Sequence, residues 1–149
     1  MIGISSFCLS ETPLDTALGR LLEVTGRIEI MDEGLHFLSS TDVPESYPAR
    51  YSIHAPFHGL NIASVFEPIR RASIGVLADC FSAAAEIDAP VVIHPGYFAW
   101  ENERELALRQ FRQSCEDLAA AAREYSVAFS FENMAGMNFF LLRTPDDLG

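Results

Sequence analysis

Three residues that can bind a metal ion or move a proton each follow directly on an apolar segment of the sequence. His54 ends the segment "YSIH", His94 ends "PVVIH" and Glu132 ends "AFSFE". The first two lie 40 residues apart and the last two 38, about the length of one strand and one helix. Imidazole nitrogen and carboxylate oxygen are common ligands of zinc and other divalent transition metals. The spacing therefore indicates a metal or acid–base site built from the ends of successive strands.

Hydrophobic periodicity predicts the elements that would hold these three residues. We expect the order β-α-β-loop-β-α-β-α-β, which is typical of parallel βα units in the α/β class. In a parallel sheet or barrel the carboxyl ends of the strands lie on one side, where active sites are found. The three side chains should therefore converge. The expected strands are "MIGISSF", "RIEIM", "RYSIHAP", "PVVIHPG" and "VAFSFEN"; the expected helices begin near Pro13 and end at Gly26, run over about 67–87 and run over about 102–125; and 39–50 is expected to be loop.

Two further polar residues accompany the strand ends and are candidates for substrate binding. His58 lies four positions after His54, so it could touch a substrate or be a solvated loop residue, and the sequence favours neither. Asn133 follows Glu132 directly at the end of the fifth strand. We expect both at the same end of the sheet as the three candidate ligands.

The end of the second strand carries its own polar group. Asp32 and Glu33 follow "RIEIM", so one of them, Glu33 in particular, could contact a substrate. His36 comes three residues later in the segment "DEGLHF" and is expected at the surface. A lone histidine at a strand end is more often a structural residue than a ligand, so it is the in-phase repetition of such residues that favours a site.

Composition limits the classes of partner. The chain has 149 residues, a net charge of −11, ten arginines and no lysine, so its surface on average repels phosphate backbones. A local basic patch remains conceivable where Arg70 and Arg71 are adjacent. The sequence has no apolar run of membrane-spanning length and no signal-peptide pattern. We therefore expect a cytoplasmic protein with a small-molecule partner, no membrane contact and no nucleic acid.

The motifs around the candidate ligands resemble one known family. The segments "HAPFHGLNIAS", "IHPG" and "FENMAG" are similar to those of the xylose-isomerase-like TIM barrels. This superfamily joins sugar isomerases and epimerases with apurinic-site nucleases of the endonuclease IV type. The resemblance spans the chain from the first to the fifth strand and implies a metal-dependent (β/α)₈ barrel.

The resemblance gives the candidate ligands different roles in the two branches. In the nuclease branch, His54 and His94 correspond to zinc ligands and Glu132 to a residue that bridges metals. In the isomerase and epimerase branch, Glu132 corresponds to a metal ligand that often serves as acid or base, whereas the histidines more often face the substrate. Phe57 stands where the nuclease motif usually has tyrosine, which together with the missing lysines weakens the DNA hypothesis.

We therefore carry three hypotheses about function. The first is a sugar or sugar-phosphate isomerase or epimerase that uses a divalent metal, zinc or manganese, with Glu132 as ligand and catalytic acid or base. The second is a zinc phosphodiesterase of the endonuclease IV type, which acts on apurinic sites. The third is an incomplete barrel that is inactive by itself.

The third hypothesis comes from the length of the chain. A complete barrel takes about 250 residues, and we expect five of eight strands in one C-terminally incomplete domain over 1–149. The segment Thr144-Pro145-Asp146-Asp147 is typical of a helix start, with a capping threonine and a proline in the first turn. An open sheet edge in such a domain would favour self-association.

Overall fold

Five parallel strands form one sheet in the order in which they occur along the chain. The computed structural model describes residues 2–134, 136, 138–144 and 147. Each strand pairs with the next in parallel, so the sheet winds in one direction, as in a barrel of the TIM type. The predicted α/β class with about five parallel strands is confirmed. The strands are β1 (Ile4–Ser5), β2 (Arg27–Met31), β3 (Arg50–His54), β4 (Val91–Ile93) and β5 (Phe129–Phe131).

Helices connect successive strands and cover one face of the sheet. They are α1 (Leu14–Leu22), α2 (Asp42–Glu45), α3 (Glu67–Glu86) and α4 (Arg104–Tyr125), and single 3₁₀ turns occupy Ser6–Leu9, Gly34–His36 and Glu101–Glu103. The segment expected to be loop contains the short helix α2, because Pro44 is buried there and accepts a hydrogen bond from the Tyr51 hydroxyl. Within the described ranges, no helix combines the length and apolarity needed to cross a membrane.

The hydrophobic core lies between the sheet and these helices. Alternate residues of the strands turn towards the helices and are buried, which is the two-residue period of a pleated strand. The intervening residues form the opposite face of the sheet. The last residue of each strand lies at the carboxyl edge of the sheet. The principal buried strand residues are Ile28, Ile30, Tyr51, Ile53, Val91 and Ile93, and they pack against Leu18, Leu77, Phe81, Phe111 and Leu118 of the helices.

The adjacent arginines of α3 do not form a free basic patch. The Arg70 side chain is buried and binds the Glu67 carboxylate through two nitrogens, at 2.8 and 2.9 Å. It also donates to Asp117 of α4, at 2.6 Å, and Arg71 pairs with the same Glu67. These contacts hold the pKa of Glu67 at about 2. Arg70 thus joins α3 to α4, and Arg71 is paired within α3. The basic patch considered from the sequence is not formed by these two arginines.

The segment expected to begin a further helix lies partly outside the described residues, which include neither Pro145 nor Asp146. The Asp147 carboxylate accepts hydrogen bonds from the backbone N–H groups of Arg143 and Thr144, at 2.9 and 2.8 Å. A carboxylate that accepts nearby backbone N–H groups is typical of turns and helix N-caps.

Candidate metal centre

The ends of β3, β4 and β5 bring the three candidate ligands into contact. His54 is the last residue of β3, while His94 and Glu132 directly follow β4 and β5. Nε2 of each histidine lies 3.2 Å from Oε2 of Glu132, and the two imidazole centroids are 4.9 Å apart. One ligand atom from each residue fits within a group whose members all lie within 4.8 Å of one another. Positions some 40 residues apart in sequence thus meet because the strands are parallel and in register.

The hydrogen bonding of His54 decides which of its nitrogens faces the other ligands. Nδ1 lies 3.0 Å from the backbone carbonyl oxygen of Ala55, which can only accept, so Nδ1 carries the proton. In the neutral ring Nε2 therefore presents a lone pair to Glu132. Two lone pairs at 3.2 Å repel each other unless a proton or a metal ion lies near them. A histidine whose outer nitrogen is fixed by a carbonyl is typical of metal ligands, so these residues fit a divalent ion.

The surroundings of His94 favour its neutral form. Burial lowers its pKa, the nearby His54 lowers it further, and the Glu132 carboxylate raises it by less. A neutral imidazole is the form that coordinates metals. The side chains of His54 and His94 are 9 % and 16 % exposed, whereas that of Glu132 is 44 % exposed. The group is therefore closed by the histidines and open to a ligand on the side of Glu132.

Aromatic rings fix the orientation of the histidines. Phe57 stacks on His94 with centroids 4.5 Å apart and the ring planes 28° from parallel. The ring of Phe140 meets the ring of His94 edge-on, with the two centroids 5.8 Å apart. These rings line a cleft of about 180 Å³, whose lining also includes His94. The cleft is lined mainly by apolar residues, among them Leu60, Ile62, Leu77, Ile93, Tyr97 and Phe139.

Comparison with known proteins identifies the family. The family model described as "Xylose isomerase-like TIM barrel" matches residues 44–149, more than two thirds of the chain. The chain belongs to the xylose isomerase-like TIM barrel family. The family predicted from the motifs is thereby confirmed.

Relatives and solved structures extend the likeness across both branches of the family. Uncharacterized protein MJ1614 of Methanocaldococcus jannaschii is 32% identical over 81% of this chain and 47% of its own length. Probable endonuclease 4 of Mycobacterium leprae is 31% identical over 74% of this chain and 42% of its own length. Among structures, a D-tagatose 3-epimerase-like protein has a TM-score of 0.88 and 30% identity over 98% of this chain and 57% of the other.

A more distant structure supports the fold alone. A D-psicose 3-epimerase crystallised in the presence of D-fructose has a TM-score of 0.74 at 12% identity, over 97% of this chain and 56% of the other. The chain spans about half the length of the relatives it matches.

Glu33 and His58 form a second polar pair beside the candidate ligands. Oε1 of Glu33 accepts the backbone N–H groups of Phe57 and His58, at 2.5 and 2.6 Å, while Oε2 pairs with Nδ1 of the His58 ring. Burial alone would raise the pKa of Glu33, but the hydrogen bonds from His58 and Phe57 outweigh it and lower the pKa. His58 lines the cleft, with its ring stacked on Phe57 at 4.3 Å.

The remaining residues of interest at the strand ends differ from one another. Asn133 is exposed, and its side chain makes no hydrogen bond within the part of the chain that is described. Asp32, considered as a substrate contact, is buried instead and accepts the Leu38 N–H at 2.7 Å. Burial raises the pKa of Asp32. The expectation that His36 lies at the surface is also wrong, because it is buried and bonded to Ser6.

Two residues that sequence reasoning missed join the loops of the site. Asn61 donates to the Tyr97 carbonyl at 2.9 Å and accepts the Tyr97 N–H at 3.1 Å, so it ties the loop after β3 to the loop after β4. Gly96, which has a φ of 81°, packs so closely that a Cβ there would lie 2.8 Å from Asn61 and Ala63. The signals were the isolated asparagine in "HGLNIAS" and the glycine of "HPG".

Proposed function

We propose that the protein is a sugar or sugar-phosphate isomerase or epimerase whose site uses a divalent metal. The observation that carries the proposal is the meeting of two imidazoles and one carboxylate within 4.8 Å at the strand ends. The 30% identity to a D-tagatose 3-epimerase-like protein over almost the whole chain supports this branch of the family. Because the chain spans about half of such relatives, the activity is proposed for the site to which this chain contributes.

His54, His94 and Glu132 would hold the ion, with zinc or manganese suited to two nitrogens and one oxygen. When bound, such an ion polarises a sugar carbonyl and the neighbouring hydroxyl and so acidifies the C–H bond between them. The Ala55 carbonyl keeps Nε2 of His54 directed at the site, and Phe57 holds the ring of His94.

Glu132 is the residue of this group that can also move a proton. Its side chain is the most exposed of the three, and Oε2 is the oxygen directed at both histidines. Its other oxygen, Oε1, would take the proton from the acidified carbon and, in an isomerisation, return it to the neighbouring carbon. In an epimerisation the opposite face of the carbon would take its proton from solvent. The exposed Asn133 and His58 would bind sugar hydroxyls.

A phosphodiesterase that acts on abasic DNA is the second candidate. The 31% identity to a probable endonuclease 4 over 74% of the chain favours it. The net charge of −11 opposes it, since binding to DNA depends on cationic contacts with phosphates. The buried Arg70 is already paired with carboxylates and contributes no such contact.

Metal content per chain tests the proposed site. Purified protein would be incubated with zinc or manganese, gel-filtered and analysed by elemental mass spectrometry. We expect about one ion per chain in the wild type, none in Glu132→Ala and the wild-type value in Glu101→Gln, which removes an exposed carboxylate between β4 and α4. Retention of the ion by Glu132→Ala would contradict the proposal.

Substrate screening then separates the two branches. The metal-loaded protein would be incubated in D₂O with D-tagatose, D-psicose and D-fructose, and NMR would detect deuterium entering carbon. A parallel reaction would contain duplex DNA with one abasic site. Deuterium uptake without DNA cleavage supports the sugar enzyme, whereas cleavage without uptake supports the phosphodiesterase.

A further inference from the structure

Both oxygens of Glu33 are engaged by the loop that follows β3. Oε1 accepts two backbone N–H groups, those of Phe57 and His58, and Oε2 is occupied by Nδ1 of His58. The Glu33 side chain is only 15% exposed. Because its oxygens and most of its surface are taken up by this loop, the first role that the contacts give Glu33 is to hold the loop and the ring of His58.

The same contacts leave His58 with one free nitrogen. Its Nδ1 faces a carboxylate and therefore carries a proton, so Nε2 is the remaining donor or acceptor of the ring. The His58 side chain is 79% exposed, yet it is held by Glu33 and stacked on Phe57. Since Phe57 in turn stacks on His94, the His58 ring is fixed relative to the candidate metal ligands. These contacts distinguish His58 from a loop histidine that is only solvated.

We propose that His58 is a catalytic residue that exchanges a proton with a sugar oxygen and that Glu33 is its positioning residue. This inference rests on the proposed function. As Glu132 takes the proton from carbon, the C–H electron pair becomes the C=C bond of an enediol, and the carbonyl π pair moves to oxygen. That oxygen receives the proton from Nε2 of His58. In an isomerisation, Glu132 then gives its proton to the former carbonyl carbon, and Nε2 of His58 takes the proton of the other enediol hydroxyl as that oxygen re-forms a carbonyl. In an epimerisation, solvent protonates the opposite face of the original carbon, Nε2 takes back the proton from the first oxygen, and Glu132 releases its proton to solvent. No oxidant or reductant is consumed in either case. After the transfer the ring keeps its Nδ1 proton, which the Glu33 carboxylate accepts as a hydrogen bond.

Glu33→Gln separates the positioning role from simple anchoring of the loop. Glutamine keeps an oxygen that can accept the N–H groups of Phe57 and His58, but it places an NH₂ donor against Nδ1 of His58. The ring must then accept at Nδ1, so the proton of the neutral ring lies on Nε2. His58→Gln removes the transferring nitrogen while leaving Glu33 in place. Glu101→Gln again serves as the control for loss of an exposed negative charge on this face.

The experiment compares zinc content, deuterium uptake into the three ketohexoses and ring ¹⁵N resonances for these variants and for the double variant. We expect zinc content to stay at the wild-type value and deuterium uptake to fall about 100-fold in each single variant, because general acid–base groups contribute at least this much. The fall should be in kcat with KM little changed. The double variant should exchange no more slowly than His58→Gln, since Glu33 acts through His58. In Glu33→Gln the ¹⁵N resonances should show the proton of His58 moved from Nδ1 to Nε2.

Each contrary outcome has a separate meaning. Uptake by His58→Gln at the wild-type rate, with zinc still bound, would overturn the inference and leave the proposed function intact. The same holds if Glu33→Gln slows uptake equally with and without His58, because Glu33 would then be only an anchor. If the wild type retains no zinc and exchanges no sugar, the proposed function fails, and this inference fails with it.

Discussion

Two buried histidines, His36 and His54, show how a structural histidine differs from a candidate ligand. Nε2 of His36 lies 2.9 Å from the Thr12 carbonyl and so donates to it, while Nδ1 lies 3.0 Å from the Ser6 hydroxyl and accepts from it. The same hydroxyl accepts the Met31 N–H at 3.0 Å. Every donor in this chain of bonds meets an acceptor, and nothing remains for a ligand.

His54 is satisfied on one side only. Its Nδ1 donates to the Ala55 carbonyl, but its Nε2 faces Glu132, which as a carboxylate can only accept. The pairing becomes favourable when a positive species lies between these atoms. Burial is similar at the two histidines, so burial does not distinguish them. What distinguishes them is whether the protein alone completes the hydrogen bonds of the ring.

Replacing His36 should cost the most stability. In His36→Ala the Thr12 carbonyl and the Ser6 hydroxyl lose their partners, and a cavity remains where the ring is 1% exposed. We expect the free energy of unfolding to fall by about 3 kcal/mol, from the cavity and the unpaired groups together. Urea unfolding would measure it, with Leu35→Ala, an exposed neighbour on the same turn, as the control. A loss as small as that of the control would mean that the His36 bonds are not structural.

Replacing His54 should instead remove the metal. Even changes to the outer partners of a metal-ligating histidine lower affinity by about 10- to 100-fold, so His54→Ala should lower zinc affinity by at least about 100-fold. The stability of the metal-free chain should fall less than in His36→Ala, because no complete network is broken. Calorimetric zinc titration of both variants tests the contrast. Equal zinc affinity in His54→Ala and the wild type would remove His54 from the candidate ligands.

The candidate ligands could be predicted because the signal that marks them is local. An apolar run gives the strand, its last residue gives the position, and parallel pairing gives the convergence of His54, His94 and Glu132. His36 was predicted wrongly because its partners lie 24 and 30 residues away, and no local pattern announces them. The polar segment "DEGLHF" has the composition of a solvated loop, and only tertiary structure shows that it is buried.

Long-range bonds explain the other departures as well. Asn61 bonds to Tyr97, 36 positions along the chain, and Arg70 bonds to Asp117, 47 positions away. Such contacts cannot be deduced from the spacing of residue types within one segment. The structure adds these contacts between loops and helices and the short helix α2, whereas the order of the five strands and of the helices α1, α3 and α4 follows from periodicity.

Gly96→Ala tests how far the packing between the loops after β3 and β4 stabilises the candidate metal site. The new Cβ would lie 2.8 Å from the backbone nitrogen of Ala63, and the φ of 81° disfavours any side chain. We expect a stability loss of about 2 kcal/mol from strain and overlap, with weaker zinc binding because His94 lies two residues earlier. Gly59→Ala is the matched control, since its φ of 73° is also positive but its Cβ would meet nothing within 4 Å. Equal losses in both variants would show that only backbone strain matters.

Two neighbouring carboxylates, Asp32 and Glu33, also differ in how far the protein satisfies them: Glu33 accepts from Phe57 and His58, whereas the buried Asp32 accepts the N–H of Leu38. Burial raises the pKa of Asp32, whereas hydrogen bonds lower that of Glu33. The stability that Asp32 contributes is therefore fully present below its unfolded-state pKa of about 4 and is lost as the pH rises through its folded-state value. Glu33 has the opposite sign, since its contribution is present above its unfolded-state pKa and is lost as the pH falls.

Asp32→Asn should consequently be the mildest of these changes. Asparagine keeps an oxygen to accept the Leu38 N–H but cannot ionise, so the buried charge disappears without loss of that bond. We expect the variant to gain up to about 1 kcal/mol over the wild type at pH 7 and to gain less at pH 4, because the raised pKa leaves Asp32 less ionised at the lower pH. Thermal unfolding at both pH values measures the difference, with Glu33→Gln as the comparison.

Glu33→Gln should lose stability at pH 7 relative to the wild type, because the lowered pKa shows that the charged form is favoured in the fold. A stability loss in Asp32→Asn at pH 7 as large as that in Glu33→Gln would show that the Asp32 charge is stabilised by the surrounding protein, and the contrast between the two carboxylates would fail.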